Sequence, residues 1–498
     1  VPENDFRTAI LFGFIFFCLF YLSLINHKIF YKKKFQFEDI LFLIANSFIF
    51  YGTGYFSLSG YLSAEKYTGL FTLGNAAIHL AVTGYLYKKQ HPDKNLRQFV
   101  SGLALVFFTI TIPVEFDASW VTLFWFLEAM ILFYIGRSKK VSFYEYFSYL
   151  ILVLGFYSLL DDWSAAYASY HAGSPESRLI PFLNVFFMTG LIAMASTASM
   201  NYIHFWSHTG EVPVKDPTLK TMLNYGMAGI LIFISYYVFR NEIAIYWNQL
   251  YIDSETQVPV ALNSESTYLL RNPDIRLFKI LWILIYSMIF SAGLTLLNAR
   301  VFKIEGLAIP LILINSAGIL VFLLQGLYVM GELRENYLDP DFMWKFNPGK
   351  WNIGIRYVGL ITVAGLIILN DWYTRKNTDE KRMLMAAELF TSFAVLWVLT
   401  SELVHWQDMA GVGGSYKIGI SILWGVFSLM MVIIGIWKRK KYLRIGAIVL
   451  FGITLIKLFF YDLTDLDTIA RTIVFISLGI LLLIISFLYN KYNRVLFD

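Results

Sequence analysis

Fifteen long apolar stretches run through the chain and constrain its fold more than any other feature. Each is close to the ~20 residues that an α-helix needs to cross the ~30 Å hydrocarbon core of a bilayer. The apolar runs are continuous and do not alternate with polar residues, which favours helices over membrane strands. The chain is 57% hydrophobic and only 15% charged, so it has more hydrophobic residues than a soluble core can bury. The sequence therefore predicts an all-α, polytopic transmembrane helical bundle.

The charges between these stretches predict an orientation. The predicted spans lie near 7–26, 38–58, 67–88, 97–115, 119–136, 143–160, 179–200, 219–238, 277–298, 306–330, 353–373, 383–405, 417–437, 442–460 and 468–490. Lysine and arginine gather in alternate loops, for example at 28–34, 137–140 and 438–441. Because loops rich in Lys and Arg stay in the cytoplasm, we predict that the N-terminus is outside and the C-terminus inside.

The segments between the spans are mostly short, so we predict one integral-membrane domain over residues 1–498. Two longer outer loops are predicted at 239–276 and 331–352. Within the first, Asn241 to Ile252 has the pattern of an amphipathic helix that lies at the membrane interface. An ordered loop that covers the bundle explains the same segment equally well.

A Trp followed eleven residues later by Gly recurs in the fifth, ninth and thirteenth spans. The pairs are Trp125/Gly136, Trp282/Gly293 and Trp424/Gly435. This spacing of four spans indicates parallel four-helix repeats at 7–115, 119–238, 277–405 and 417–490. The alternative is that the alternation of basic and acidic loops alone produces the rhythm.

Two blocks carry the most distinctive local sequence. They are GLALVFFTITIPVEFDASWVTLFWFLEAMILFYIGR, Gly102 to Arg137, and LRIGAIVLFGITLIKLFFYDLTDLDTIARTIVFISLGILLLIISFLYNKY, Leu443 to Tyr492. With them most of the chain resembles the bacterial multi-pass membrane proteins grouped as domain of unknown function 2339. The resemblance implies a bacterial cytoplasmic (inner) membrane protein and brings no established activity. Members usually carry a soluble part ahead of the helices, so we expect this chain to be part of a longer protein.

Four polar residues inside predicted spans are candidates for a site, because ionisable groups are costly there and functional roles are common. Glu128 lies near the middle of the fifth span, and an ionised form there needs a partner. His79 and Asn75 are four residues apart and face one side of the third helix, where they either join helices or form a polar site. Lys457 is expected to reach outward toward acidic loop residues.

A set of acidic residues and one histidine should share the outer membrane level. These are Glu115, Asp161, Asp162, Glu402, His405, Asp462, Asp465 and Asp467. If the repeats surround an axis, the carboxylates line a vestibule that holds a divalent cation. We favour the alternative, in which they pair with the outer basic residues Arg178, Arg356 and Arg471. No metal site is predicted from these residues.

Several function classes are not supported. His204 and His208 have the spacing of zinc ligands but lack a clear third ligand. The glycines at 411–414 follow no strand and lack the lysine of a phosphate loop. The net charge is only +5, and the basic residues are scattered over short loops. This distribution argues against nucleic-acid binding and for contact with lipid headgroups. We predict no cofactor.

Two classes of function then remain, besides a structural role. The first, which we favour, is transport or the handling of lipids or envelope precursors, with membrane lipids as partners. The second is a membrane enzyme in which Asp161 or Asp162 acts on a lipid-linked substrate at the outer face. A non-catalytic scaffold with partner proteins in an envelope complex is the third interpretation. The sequence shows no nucleophile motif, so we lean toward a non-enzymatic function.

Overall fold

The computed structural model describes most of the chain. The described residues are 5–31, 36–60, 64–89, 93–117, 119–168, 170–171, 175–205, 217–259, 267–339, 346, 348–411 and 416–462, with seven isolated positions between 472 and 487. The predicted span at 468–490 therefore lies mostly outside the described residues.

Long helices make up nearly all of the described structure. The first eight are α1 (Asp5–Tyr31), α2 (Phe37–Ser59), α3 (Thr68–Lys88), α4 (Lys94–Glu115), α5 (Ser119–Lys139), α6 (Ser142–Ala166), α7 (Val185–Phe205) and α8 (Pro217–Asp253). A hairpin of β1 (Thr256–Pro259) and β2 (Thr267–Leu270) follows. The later helices are α9 (Pro273–Leu297), α10 (Ala308–Val321), α11 (Leu327–Leu338), α12 (Trp351–Asn377), α13 (Lys381–Met409), α14 (Tyr416–Trp437) and α15 (Lys441–Lys457).

The predicted all-α membrane fold is confirmed. Within the described residues, 11 helical segments are long and apolar enough to cross a bilayer. One of them runs over Glu305–Leu338, because π-helical turns at Phe322–Gly326 join α10 to α11 without a break. The number of spans and their orientation stay predictions.

Hydroxyl groups inside the helices are bonded locally, which suits an apolar solvent. Thr72, Thr83 and Thr197 each donate to the carbonyl four residues earlier, at 2.7–2.8 Å. A hydroxyl left without a partner in hydrocarbon would cost free energy, and this bond keeps it satisfied within its own helix. These hydroxyl groups therefore need no hydrogen-bond partner from another helix to lie within a membrane.

The described chain forms two compact units, of which the first extends to Glu242 in α8. In this unit α3 packs on α4, and α5 packs on both α6 and α7. One apolar core lies among α1 to α4, with Phe17, Leu43 and Leu96 fully buried. A second core lies among α5 to α8 and includes Phe126 and Ile234.

The second unit begins at Ile243. Its main core joins α9, α12, α13 and the continuous α10–α11 segment around Leu281, Phe322 and Val363. A smaller core joins α13, α14 and α15 around Phe427 and Ala447. Each unit therefore has its own buried apolar centre, as expected for an independently packed helix bundle.

Two members of the Trp–Gly pattern sit at matching tight turns. A Cβ added at Gly136 would lie 2.8 Å from the backbone nitrogen of Glu145, and one at Gly435 would lie 2.6 Å from Arg444 Cγ. In both hairpins the residue four positions after the glycine, Lys140 or Arg439, has a positive φ. A Cβ at Gly293 would meet no atom within 4 Å, so the third member lacks this contact. The four-helix repeat itself stays a prediction.

The two segments that we predict as outer loops contain regular structure. Asn241 to Ile252 belongs to α8, which continues without a break to Asp253. The strands β1 and β2 then pair antiparallel, with Thr256 opposite Leu270. In the segment 331–352, α11 continues to Leu338.

Candidate functional site

Glu128 is held on the inner face of α5 by a neighbouring helix. Its side chain is only 7% exposed, and Thr109 Oγ1 on α4 donates to Glu128 Oε1 at 2.7 Å. One turn earlier on α5, Trp125 Nε1 donates to the carbonyl of Thr109 at 3.3 Å. Within the described structure, Glu128 Oε2 is buried and has no hydrogen-bond partner. The carboxyl group therefore keeps an unused polar atom.

This carboxyl group lines a cavity of about 1050 Å³. The cavity lies among α3, α4, α5 and the turn that precedes α3. Most of its lining is apolar, including Leu73, Phe108 and Ile131. Its volume is at the upper end of the range of about 300–1,000 Å³ that is typical of small-molecule sites. We call it the Glu128 cavity.

The polar end of the Glu128 cavity is formed by Lys66 and Glu115, which are both exposed. Lys66 precedes α3 and Glu115 ends α4, so the two lie at the same end of these antiparallel helices. The Glu115 side chain covers Gly69, where an added Cβ would lie 1.8 Å from Glu115 Oε2. Glu128 is nine residues into α5, which corresponds to ~13 Å along the helix axis. The cavity therefore connects an exposed charged end with a buried carboxyl group.

His79 and Asn75 lie together on the buried face of α3 but outside this cavity. The Tyr21 hydroxyl is 2.8 Å from His79 Nδ1, and the His79 ring stacks on Phe107 with 5.3 Å between centroids. Asn75 Nδ2 donates to the Phe71 carbonyl at 2.9 Å. His79 therefore joins α1, α3 and α4, as interhelical contacts of polar residues in membranes do.

The acidic residues that we predict at the outer end of α6 differ in environment. Asp161 is exposed, whereas Asp162 is buried and accepts a hydrogen bond from Thr122 Oγ1 of α5 at 2.6 Å. Arg178 is exposed in the segment that precedes α7. Asp162 thus links two helices in this structure.

A second group of predicted residues meets in the second unit. Arg356 Nε lies 2.5 Å from Glu402 Oε1, which is the kind of pairing that we favour for the outer acids. His405 is buried one turn after Glu402 on α13. Asp408 pairs with Arg334 of α11 at 2.7 Å. The structure therefore brings the predicted residues Arg356 and Glu402 into one region with the Arg334–Asp408 pair.

Among the described residues Lys457 contacts two groups of α14, and the side chains of the acids toward which we predict it to reach are not described. Its Nζ donates to the Lys417 carbonyl and to Ser421 Oγ, both at 2.9 Å, and so ties α15 to α14. The backbone of Asp462 is in the π-helical turn after α15. Asp465, Asp467 and Arg471 lie outside the described residues, as does the side chain of Asp462. In the part of the chain that is described, no three His, Cys, Asp or Glu residues form a group that could hold a metal ion.

Sequence reasoning missed several buried polar groups, of which Glu242 and Arg334 are two. Glu242 is fully buried in α8 and accepts hydrogen bonds from Tyr167, the Phe182 backbone and Asn184. Burial, followed by the hydrogen bond and charge of Glu242, raises the pKa of the Tyr167 hydroxyl. Arg334 was missed because its segment reads as a charged loop. A helical continuation past 331 places Arg334 one turn from Met330, and that spacing is the signal that could have indicated it.

The family comparison covers nearly the whole chain. The family model described as "Predicted membrane protein (DUF2339)" matches residues 4–492. No curated protein and no solved structure matches the chain. Together with the helical architecture, this match shows that the chain belongs to the DUF2339 family of predicted membrane proteins.

Proposed function

We propose that this protein handles membrane lipids or lipid-linked envelope precursors by holding their apolar chains in the Glu128 cavity. The observation that carries the proposal is a large, mostly apolar cavity that also contains a buried carboxyl oxygen without a partner among the described residues. A small polar solute would leave most of these walls without contacts. An amphiphile satisfies both the walls and the charged end at Lys66 and Glu115.

The open side of the cavity supports a ligand that arrives from the bilayer. Leu70, Phe108 and Ile131 line the cavity and are also exposed at the protein surface. These apolar groups face hydrocarbon when the helices span a membrane. A lipid chain can then enter sideways while its headgroup stays at the end marked by Lys66. The proposal includes transport of the same lipid and a location in the bacterial cytoplasmic membrane.

The test is photocrosslinking of the reconstituted protein to a lipid with a photoreactive acyl chain. Leu70 and Leu80 are both on α3 and both 64% exposed, but only Leu70 lines the cavity. We expect Leu70→Trp to reduce crosslinking to α3–α5 peptides by about tenfold, which corresponds to ~1.4 kcal/mol of binding free energy. Leu80→Trp is the matched control and should leave crosslinking unchanged.

Glu128→Gln tests the buried carboxyl group, which a headgroup passes when the lipid moves between leaflets. We expect this variant to slow movement of a fluorescent lipid between leaflets of reconstituted vesicles, because a neutral amide cannot offer the same charge or proton to a passing headgroup. Equal crosslinking in the Leu70→Trp and Leu80→Trp proteins would refute the proposed cavity. A protein that binds no lipid there but is purified with stoichiometric envelope proteins would instead support the scaffold interpretation.

A further inference from the structure

The second unit contains another cavity, with different polar chemistry. It encloses about 660 Å³ and is lined by residues of the π-helical turn, α11, α12, α13, α14 and α15. Leucine and aromatic side chains form most of its wall, and Leu324, Trp397 and Ile453 are also exposed at the protein surface. Two arginines, Arg334 and Arg356, are part of the same lining. We call it the arginine cavity.

Arg356 is only 1% exposed, so bulk solvent does not satisfy its hydrogen-bond donors, and one of these donors is unused. Its Nε binds Glu402, and its Nη2 donates to the Ser401 carbonyl at 2.9 Å and to Ser401 Oγ at 2.8 Å. Within the described residues, Nη1 is buried and has no partner. Because guanidinium carries five N–H donors, two neighbouring residues leave it incompletely satisfied.

Arg334 shows the same incomplete pairing at 7% exposure. Its Nη2 lies 2.7 Å from Asp408 and 3.6 Å from Glu335. Its Nε is buried and lacks a partner in the described part of the chain. Two guanidinium groups with unmet donors therefore line one cavity.

The carboxylates that pair with these arginines do not reach the cavity surface. Glu402 and Asp408 are absent from its lining, and none of the described lining residues is an Asp or Glu. The polar lining instead includes hydroxyls from Thr400 and Ser401 together with the two arginines. A ligand in this cavity thus meets guanidinium groups with unmet donors and no described acidic side chain, which favours an anion with several acceptor oxygens.

We propose that Arg334 and Arg356 bind the phosphate group of an anionic membrane lipid whose acyl chain lies along the apolar wall of the arginine cavity. Guanidinium groups match phosphate oxygens in geometry and charge, and basic pockets between membrane helices recognise lipid headgroups in this way. The exposed apolar residues beside the arginines give the acyl chain access from the bilayer. All of these residues belong to the second unit, so the proposal does not depend on the Glu128 cavity.

Binding of phosphatidylglycerol to the delipidated full chain, measured by native mass spectrometry, tests the proposal. Phosphatidylcholine, which has no net charge, serves as the comparison lipid. The variant Arg356→Gln/Glu402→Gln removes the arginine without leaving its carboxylate unpaired. We expect it to weaken phosphatidylglycerol binding by about tenfold or more, the effect of losing a charge-assisted hydrogen bond. Arg334→Gln should have a similar effect.

Two further variants keep the test decisive if an arginine variant folds poorly. Arg375→Gln also changes an ion-paired arginine of α12, but outside the cavity, and should alter the binding constant less than about twofold by the same measure. Ile453→Trp fills the apolar wall without touching a charge and should weaken binding of the lipid. Equal loss in Arg375→Gln and the Arg356 variant would overturn the proposal.

Inorganic phosphate distinguishes the two sources of the anion. We expect millimolar phosphate alone to displace little phosphatidylglycerol, because it lacks the chain that contacts the apolar wall. Phosphate binding as tight as that of the lipid would overturn the lipid assignment. Leu70→Trp should leave phosphatidylglycerol binding at the arginine cavity intact, so failure of this inference and failure of the Glu128 cavity proposal give different results.

Discussion

At the scale of single residues, the buried ionisable groups of the described structure differ in whether they line a cavity. Arg137 and Glu145 pair at 2.7 Å across α5 and α6, and both are almost fully buried. Glu128 and Arg356 are equally buried but also line cavities. A pair closed between helices contributes to the packing of those helices. A charged group at a cavity wall can also meet a ligand, which is why we assign function to Glu128 and Arg356.

The Arg137–Glu145 pair allows a prediction about stability. Arg137→Met leaves Glu145 as an unpaired buried charge, and removal of one partner from such a pair costs about 3–5 kcal/mol. We expect a clear fall in the thermal unfolding midpoint of the purified protein. The double variant Arg137→Met/Glu145→Gln should recover much of the loss, because a neutral amide can still accept the Tyr149 hydrogen bond. A double variant less stable than Arg137→Met would contradict this explanation.

Some residues of the candidate sites could be identified from the sequence and others could not. Glu128 could be found because an acid in the middle of an apolar run is rare. Its partner Thr109 could not, since its hydroxyl also lies 2.9 Å from the Leu105 carbonyl of its own helix, a local contact that threonines in membrane helices commonly make. Arg334 was hidden because the charged residues after 331 resemble a loop. Pairing across helices is set by tertiary structure, which residue type alone does not determine.

At the scale of helices, some glycines lie where a side chain would collide with the neighbouring helix. The Gly136 contact with the Glu145 backbone lets α6 begin directly beside the end of α5. The spacing from Trp125 singled out this glycine in the sequence, but it did not indicate the contact with Glu145 that requires a glycine. The predicted span ends at 238, before the end of α8, because Arg240, Asn241 and Glu242 interrupt the apolar run. The buried Glu242 carboxylate is instead stabilised by hydrogen bonds that the Phe182 N–H and Asn184 Nδ2 donate to it.

The glycine contacts predict opposite effects for one substitution at two positions. Gly136→Ala puts a Cβ 2.8 Å from a backbone nitrogen, so α6 must shift, at a cost of about 1–3 kcal/mol. Gly293→Ala meets no atom within 4 Å and should stabilise its helix by up to about 1 kcal/mol. Thermal unfolding of both variants checks the signs. Destabilisation of similar size at both positions would show that the close approach is not the cause.

At the scale of the molecule, the cavities of the two units differ in their acidic lining. Glu115 and Glu128 belong to the lining in the first unit, whereas the described lining in the second has arginines and no acid. Both linings are otherwise mostly apolar and include residues exposed at the surface. This combination is expected of a membrane protein whose ligands come from the bilayer. The orientation of the helices in the membrane is a prediction for the molecule as a whole. It determines the membrane face to which the polar end of each cavity belongs.

Cysteine labelling tests that orientation, because the chain has one cysteine, Cys18, which can be changed to Ser. In this background we introduce Asp117→Cys between α4 and α5, and separately Lys139→Cys at the end of α5, both at exposed positions. The concentration of Lys and Arg at 137–140 predicts that this end is cytoplasmic. A membrane-impermeant maleimide added to right-side-out vesicles should therefore label position 117 and not position 139. Detergent should make both react, which controls for burial. Labelling at 139 alone would reverse the topology and place the charged end of the Glu128 cavity in the cytoplasm, where a lipid from the inner leaflet would enter it.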